Sequence, residues 1–173
     1  MMNLLEQFRT IKTFIFDVDG VLTPGDLLVT EKGELLRRMN VKDGYALKTA
    51  LQKGYRVVII TGGNSEGVSL RLKGLGINTI YTQSHDKIVD FRAFLESNPE
   101  INAEECLYMG DDVPDLPVLN AVGMPTAPKD AIPECLSLAA YVSPFKGGEG
   151  CVRDVIEKVL KLNEDWPNPL ANQ

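Results

Sequence analysis

The segment Phe14-Ile15-Phe16-Asp17-Val18-Asp19-Gly20-Val21-Leu22-Thr23 runs an apolar stretch straight into two carboxylates and a glycine. Two carboxylates this close repel each other, and a divalent cation relieves that repulsion; all-oxygen ligands of this hardness point to magnesium. A carboxylate in such a place can also attack phosphorus. With the metal shielding its charge, Asp17 is the candidate nucleophile, and Asp19 is the candidate acid that protonates the leaving oxygen and then activates water. Taken alone, D-x-D-G reads equally well as the start of a loop, because Asp and Gly are common loop residues.

Three further groups of residues weigh against that plain reading. Val57-Val58-Ile59-Ile60-Thr61-Gly62-Gly63-Asn64-Ser65 places a hydroxyl and two glycines where a strand meets a helix. There Thr61 can donate to a phosphate, with the Gly62 and Gly63 amides close by and the positive end of the helix behind them. A cap by Asn64 or Ser65 is compatible with that role. Lys87, in Ser84-His85-Asp86-Lys87, is a cation able to grip a phosphate and to balance carboxylates, although a lone Lys is usually solvated. The only histidine, His85, has no Ser or Cys partner in a recognisable pattern and reads as a cap or surface residue. Finally, Leu107-Tyr108-Met109-Gly110-Asp111-Asp112-Val113-Pro114-Asp115 ends an apolar run in three aspartates. Helix capping explains one of them and leaves two over. Asp111 is expected to complete the metal site with Asp17 and the backbone carbonyl of Asp19, Asp112 to support the water shell, and Asp115 to reach Lys87.

These groups need a frame that brings them together. Short β-branched runs at 13–16, 56–60, 79–81, 106–109 and 121–124 read as strands, and 45–52, 65–73, 87–96 and 113–120 carry helical spacing between them. The alternation predicts an α/β fold, a Rossmann-like doubly wound parallel sheet, in which ligands bind beyond the carboxyl ends of the strands. Asp17, Thr61 and Asp111 then converge on one crevice. Residues 26–41 break the alternation and read as a projecting β-hairpin turning at Glu31-Lys32-Gly33. The gaps between strands fit single helices, so no cap domain is expected. One domain over 1–162 and a polar tail over 163–173 account for the 173 residues.

A net charge of −6, from 18 basic and 24 acidic residues, excludes a broad nucleic-acid surface without excluding local phosphate binding. No membrane segment is predicted. Cys106, Cys135 and Cys151 form no C-x-x-C pair, which fits a reducing cytoplasm, and Cys151 reads as a small buried residue.

In order, DVDGVLT, the Thr of IITGG, the Lys of HDK and GDDVPDLP resemble the four motifs of the haloacid dehalogenase superfamily. The hairpin, VKDGYALKTALQKGYRVVIITG and the late GGEGCVRDVIEKVL are similar to its small capless phosphatases acting on sugar acid phosphates, above all those using 3-deoxy-D-manno-octulosonate 8-phosphate. The resemblance implies a magnesium-dependent phosphatase, a phosphorylated sugar acid as substrate and a homotetramer assembled through the hairpins. It also implies a Gly147 to Arg153 segment that reaches a neighbouring active site. One position departs from the pattern: Gly63 stands where enzymes for the octulosonate carry Arg and relatives acting on a nonulosonate 9-phosphate carry Glu. Arg71 on the following helix, or a basic residue of a neighbour, is then expected to meet the sugar acid. A nonulosonate phosphatase and a catalytically silent phosphate-binding module are the alternatives.

Overall fold

The computed structural model describes residues 3–168. The chain runs through α1 (Leu4–Thr10), β1 (Thr13–Phe16), β2 (Leu28–Val29), β3 (Leu35–Leu36), α2 (Val41–Gln52), β4 (Arg56–Ile60), α3 (Glu66–Gly74) and β5 (Thr79–Tyr81). It continues through α4 (Lys87–Ser97), β6 (Cys106–Met109), α5 (Leu116–Leu119), β7 (Met124–Ala127), α6 (Pro133–Leu138), β8 (Tyr141–Val142) and α7 (Cys151–Leu162). The main sheet has six strands in the order β5-β4-β1-β6-β7-β8, every pairing parallel. Both faces are covered. Alternate residues of the central strands therefore enter two separate cores, which explains why these strands read as unbroken apolar runs. Phe14, Phe16, Val57, Ile59, Leu107 and Met109 pack under α2, α3 and α7, whereas Ile15, Val58, Ile60 and Tyr108 pack under α4, α5 and α6.

The chain moves outward from β1 to β4 and β5, then crosses back to β6 on the other side. This reversal at β1 opens the crevice at the carboxyl ends of β1, β4 and β6. Phe16 pairs with Ile59 and with Met109, so Asp17 and Gly110 stand level at the sheet edge and Thr61 lies one residue further on. The Asp17 amide is fixed by the Met109 carbonyl at 3.1 Å.

α7 closes the domain with one stripe: Val152, Val155, Ile156, Val159 and Leu160 are all buried. Burial of side chains of this size contributes roughly 1.5–3 kcal/mol each. The segment leading into α7 has a second task. Gly147 and Gly148 lie directly on the Gly20–Pro24 loop: a Cβ on Gly147 would fall 1.9 Å from the Gly20 carbonyl oxygen, and one on Gly148 would fall 2.6 Å from the Pro24 nitrogen. The Gly148 amide donates to the Val21 carbonyl at 2.8 Å, and Gly148 has φ +67°. Within its own chain the glycine segment thus packs on the loop that follows β1.

Other boundaries shift for local reasons. α2 begins at Val41, not Tyr45, because Asn40 caps it by accepting from the Lys42 amide at 2.8 Å. The hairpin therefore ends before residue 41, and its strands β2 and β3 are two residues each. β7 runs over Met124–Ala127, not 121–124: the Gly123 amide bonds the Ala103 carbonyl and the residue packs on Glu104, so 121–123 form a turn. Residues 113–115 are a 3₁₀ turn that leads into α5. α1, α6 and β8 were not anticipated. Over 163–168 the expected loose tail is anchored, with Trp166 against the core and the Tyr55 hydroxyl donating to Asp165 at 2.8 Å. Residues 169–173 lie outside the described residues. Among those described, no cap interrupts the sheet, and no helix is long and apolar enough to cross a membrane.

Candidate active site

Lys87 opens α4 and turns its ammonium under the sheet edge, where Nζ donates to Asp17 Oδ1 at 2.7 Å and Asp115 Oδ1 at 2.6 Å. All three side chains are buried. Asp115 is saturated: Oδ1 also accepts from the Tyr108 hydroxyl at 2.5 Å, and Oδ2 accepts from the Asp111 and Asp112 amides at 2.9 and 3.1 Å. It braces both the lysine and the loop that carries Asp111. Asp112 is exposed and caps the 3₁₀ turn through the Val113 amide at 2.8 Å. Asp111 itself is pressed against Gly20, where a Cβ would fall 2.0 Å from its Oδ2; Gly20 has φ +98°. Its Oδ1 is buried without a hydrogen-bond partner.

Carboxylate oxygens of Asp17, Asp111 and Asp115 lie within 4.8 Å of one another. Three carboxylates around one lysine leave the cluster short of positive charge. Burial pushes the Asp17 carboxyl up to about 7, against the pull of Lys87 and with Asp115 adding to the rise. Asp111 is pushed up to about 8, by burial first and then by Asp17 and Asp115. The two acids raise the Lys87 ammonium despite its burial. An orphaned, buried oxygen on Asp111 beside the buried carboxyl of Asp17 fits a hard divalent cation. Asp115 has no lone pair left for one, and Asp19 belongs to the expected set only through its backbone carbonyl.

A pH dependence follows. Without the cation, Asp17 and Asp111 keep protons that the unfolded chain releases near pH 4, so stability falls as pH rises from there through about 7 to 8. A divalent cation held by these oxygens would replace those protons. The gain in melting temperature on adding magnesium is expected to be small at pH 5 and roughly 5 °C or more at pH 8. A calorimetric gain that does not change with pH would remove these carboxylates as ligands.

Thr61 is buried one residue beyond β4. Its Oγ1 accepts from the Gly63 amide at 3.1 Å, so that amide closes the loop and is not turned toward a phosphate as expected. Gly62 sits against the Ser84 carbonyl. The Asp19 carboxylate is held by a residue that the motifs did not mark: Arg37, just past β3, donates through Nε to Oδ1 at 2.7 Å and through Nη2 to Oδ2 at 3.1 Å. Two adjacent arginines at the hairpin base were the available signal. Arg71 is exposed on α3 with Nη2 against Gly44 of α2, outside the carboxylate cluster. His85 is exposed, as expected.

Attack by a buried carboxylate, on a capless doubly wound sheet, is the chemistry of haloacid dehalogenase-type phosphatases. No protein-family model matches the chain. The 3-deoxy-D-manno-octulosonate 8-phosphate phosphatase of Escherichia coli K12 is 37% identical over 166 residues, which cover 94% of this chain and 88% of that protein. The crystal structure of the Yersinia pestis enzyme of the same name superposes with a TM-score of 0.90 at 34% identity, covering 94% of this chain and 87% of that one. That of the Moraxella catarrhalis enzyme, in complex with magnesium, phosphate and KDO, superposes at 0.87 with 32% identity, covering 91% and 90%. The chain belongs to the haloacid dehalogenase superfamily and, within it, to the family of the 3-deoxy-D-manno-octulosonate 8-phosphate phosphatases.

Proposed function

We propose that this chain hydrolyses 3-deoxy-D-manno-octulosonate 8-phosphate to 3-deoxy-D-manno-octulosonate and phosphate, through an aspartyl phosphate on Asp17. The observation that carries the reading is the buried Lys87–Asp17 pair at 2.7 Å next to the unpartnered oxygen of Asp111, in a chain whose Moraxella relative binds magnesium, phosphate and KDO. Lys87 anchors one oxygen of Asp17 and leaves the other for attack on phosphorus. Asp19 gives its proton to the departing sugar oxygen and recovers one from the water that then cleaves the aspartyl phosphate. Thr61 accepts from the Gly63 amide, so its own hydrogen is available to a phosphoryl oxygen, with Gly62 beside it. Asp115 holds Lys87, Asp112 holds the turn that presents Asp111, and Arg71, lining the groove between hairpin and α3, is a second cation available to the sugar acid. Asp17, Asp111 and the Asp19 carbonyl would hold magnesium, which would supply the charge that offsets the carboxylates and the phosphoryl oxygens.

The same reading places the machinery in one domain over 1–162, in the cytoplasm, supplying a precursor of lipopolysaccharide. Three buried free thiols fit that compartment. Exposed Leu28, Val29, Leu35 and Leu36 on the hairpin are an apolar surface suited to packing copies into a homotetramer. The test is phosphate release from a panel of sugar phosphates, with magnesium and with chelator. The octulosonate 8-phosphate is expected to be the best substrate, and chelator to stop its turnover. Preference for the nonulosonate 9-phosphate would keep the chemistry and replace the substrate; no release from any ester would overturn the reading.

A further inference from the structure

Asp19 is fully engaged. Arg37 forks both of its oxygens, and bidentate pairs of this kind are among the stronger charged hydrogen bonds. The guanidinium is well covered, with the Arg37 side chain 9% exposed, and its Nη1 is steadied by the Leu35 carbonyl at 3.2 Å. On its other side lies Gly63. A Cβ there would be 3.3 Å from Asp19 Oδ2, 3.4 Å from Thr61 Oγ1 and 3.7 Å from Arg37 Nη2, so any longer side chain at 63 would enter the space next to the guanidinium. The missing side chain and the inserted arginine therefore belong together.

Position decides which part of a substrate Arg37 meets. The phosphoryl group must lie against Asp17, and Asp19 serves the leaving oxygen. A cation forked onto Asp19 faces the leaving group. The open groove between hairpin and α3, lined by Leu36, Arg37, Met39, Ser65 and Arg71, gives a sugar and a swinging guanidinium room to meet. We infer that Arg37 is the specificity residue for an anionic leaving group: the carboxylate of a sugar acid takes the guanidinium over from Asp19, which anchors the substrate and frees Asp19 for the leaving oxygen. A neutral sugar phosphate offers nothing in exchange and leaves Asp19 locked. The inference rests on the phosphatase reading above.

The test compares the magnesium-loaded full-length enzyme with Arg37→Met and Arg37→Lys on 3-deoxy-D-manno-octulosonate 8-phosphate and on a neutral aldopentose 5-phosphate. Arg37→Met is expected to lose about 100-fold in kcat/KM on the acid, chiefly through KM. The same variant gains severalfold on the neutral ester, because Asp19 is no longer held. Arg37→Lys recovers part of the acid activity. Free 3-deoxy-D-manno-octulosonate inhibits the parent enzyme and not Arg37→Met, a readout of binding that a purely structural role would not move. Parallel losses on both esters, or unchanged selectivity, would overturn the assignment while the parent's phosphatase activity stands; a parent enzyme inactive on both esters would overturn the two readings together.

Discussion

Asp17→Asn is expected to lower phosphate release from every ester by about 10,000-fold or more, because an amide oxygen cannot form the acyl phosphate and no bypass for a lost nucleophile is comparably fast. The fold should survive. Asp17 is buried and nearly isosteric with Asn, and an amide oxygen can still accept from Lys87. The metal-free variant should even melt higher than the parent at pH 8. Burial pushes the Asp17 carboxyl up to about 7, so ionising it above that pH destabilises the folded state, and Asn removes the charge. Quenching with labelled substrate separates the roles: the parent traps phosphate on protein, and the variant traps none. A variant that still turned over with magnesium would move the nucleophile elsewhere.

Lys87→Met should be the most damaging single change to the metal-free protein. Lys87 is the shared partner of Asp17 and Asp115, and removing one member of a buried ionic group costs about 3–5 kcal/mol, because the remaining charges stay buried and unpaired. The loss should be largest above pH 8, where neither Asp17 nor Asp111 keeps a proton, since their carboxyls sit at about 7 and about 8. Magnesium should restore part of it by taking over the compensation of Asp17, whereas turnover stays depressed by roughly 100- to 1,000-fold for want of the cation at the phosphoryl group. Urea unfolding in chelator and in magnesium measures both. Equal losses in the two conditions would mean that the metal does not share the cluster with Lys87.

The site was legible where chemistry coincides with a strand end. Asp17, Thr61 and Asp111 each follow an apolar run, and parallel register brings such positions level without any knowledge of side-chain packing. The reach of Asp115 to Lys87 was also readable, but not the Tyr108 hydroxyl that completes it, because Tyr108 reads as one more apolar strand residue. Arg37 was hidden for a different reason. Its partner Asp19 is 18 residues away, and nothing local separates Arg37 from Arg38. β7 reads three residues early, at 121–124, because Pro125 argues against an interior strand, although its carbonyl still accepts from the Ala140 amide at 2.9 Å. The function of Gly63 as a vacancy beside a guanidinium depends on what the hairpin inserts there, which no spacing along the chain encodes.

The two glycines ahead of α7 carry a consequence for how the enzyme is made. Asp17, just past the first strand, is translated early, whereas Gly147 and Gly148, which shape the loop after it, are translated much later. Until that segment is made, the Gly20–Pro24 loop, which sets Gly20 against Asp111, lacks the backbone it leans on. A chain cut before Gly147 is therefore expected to lose the backbone support of the loop that follows Asp17.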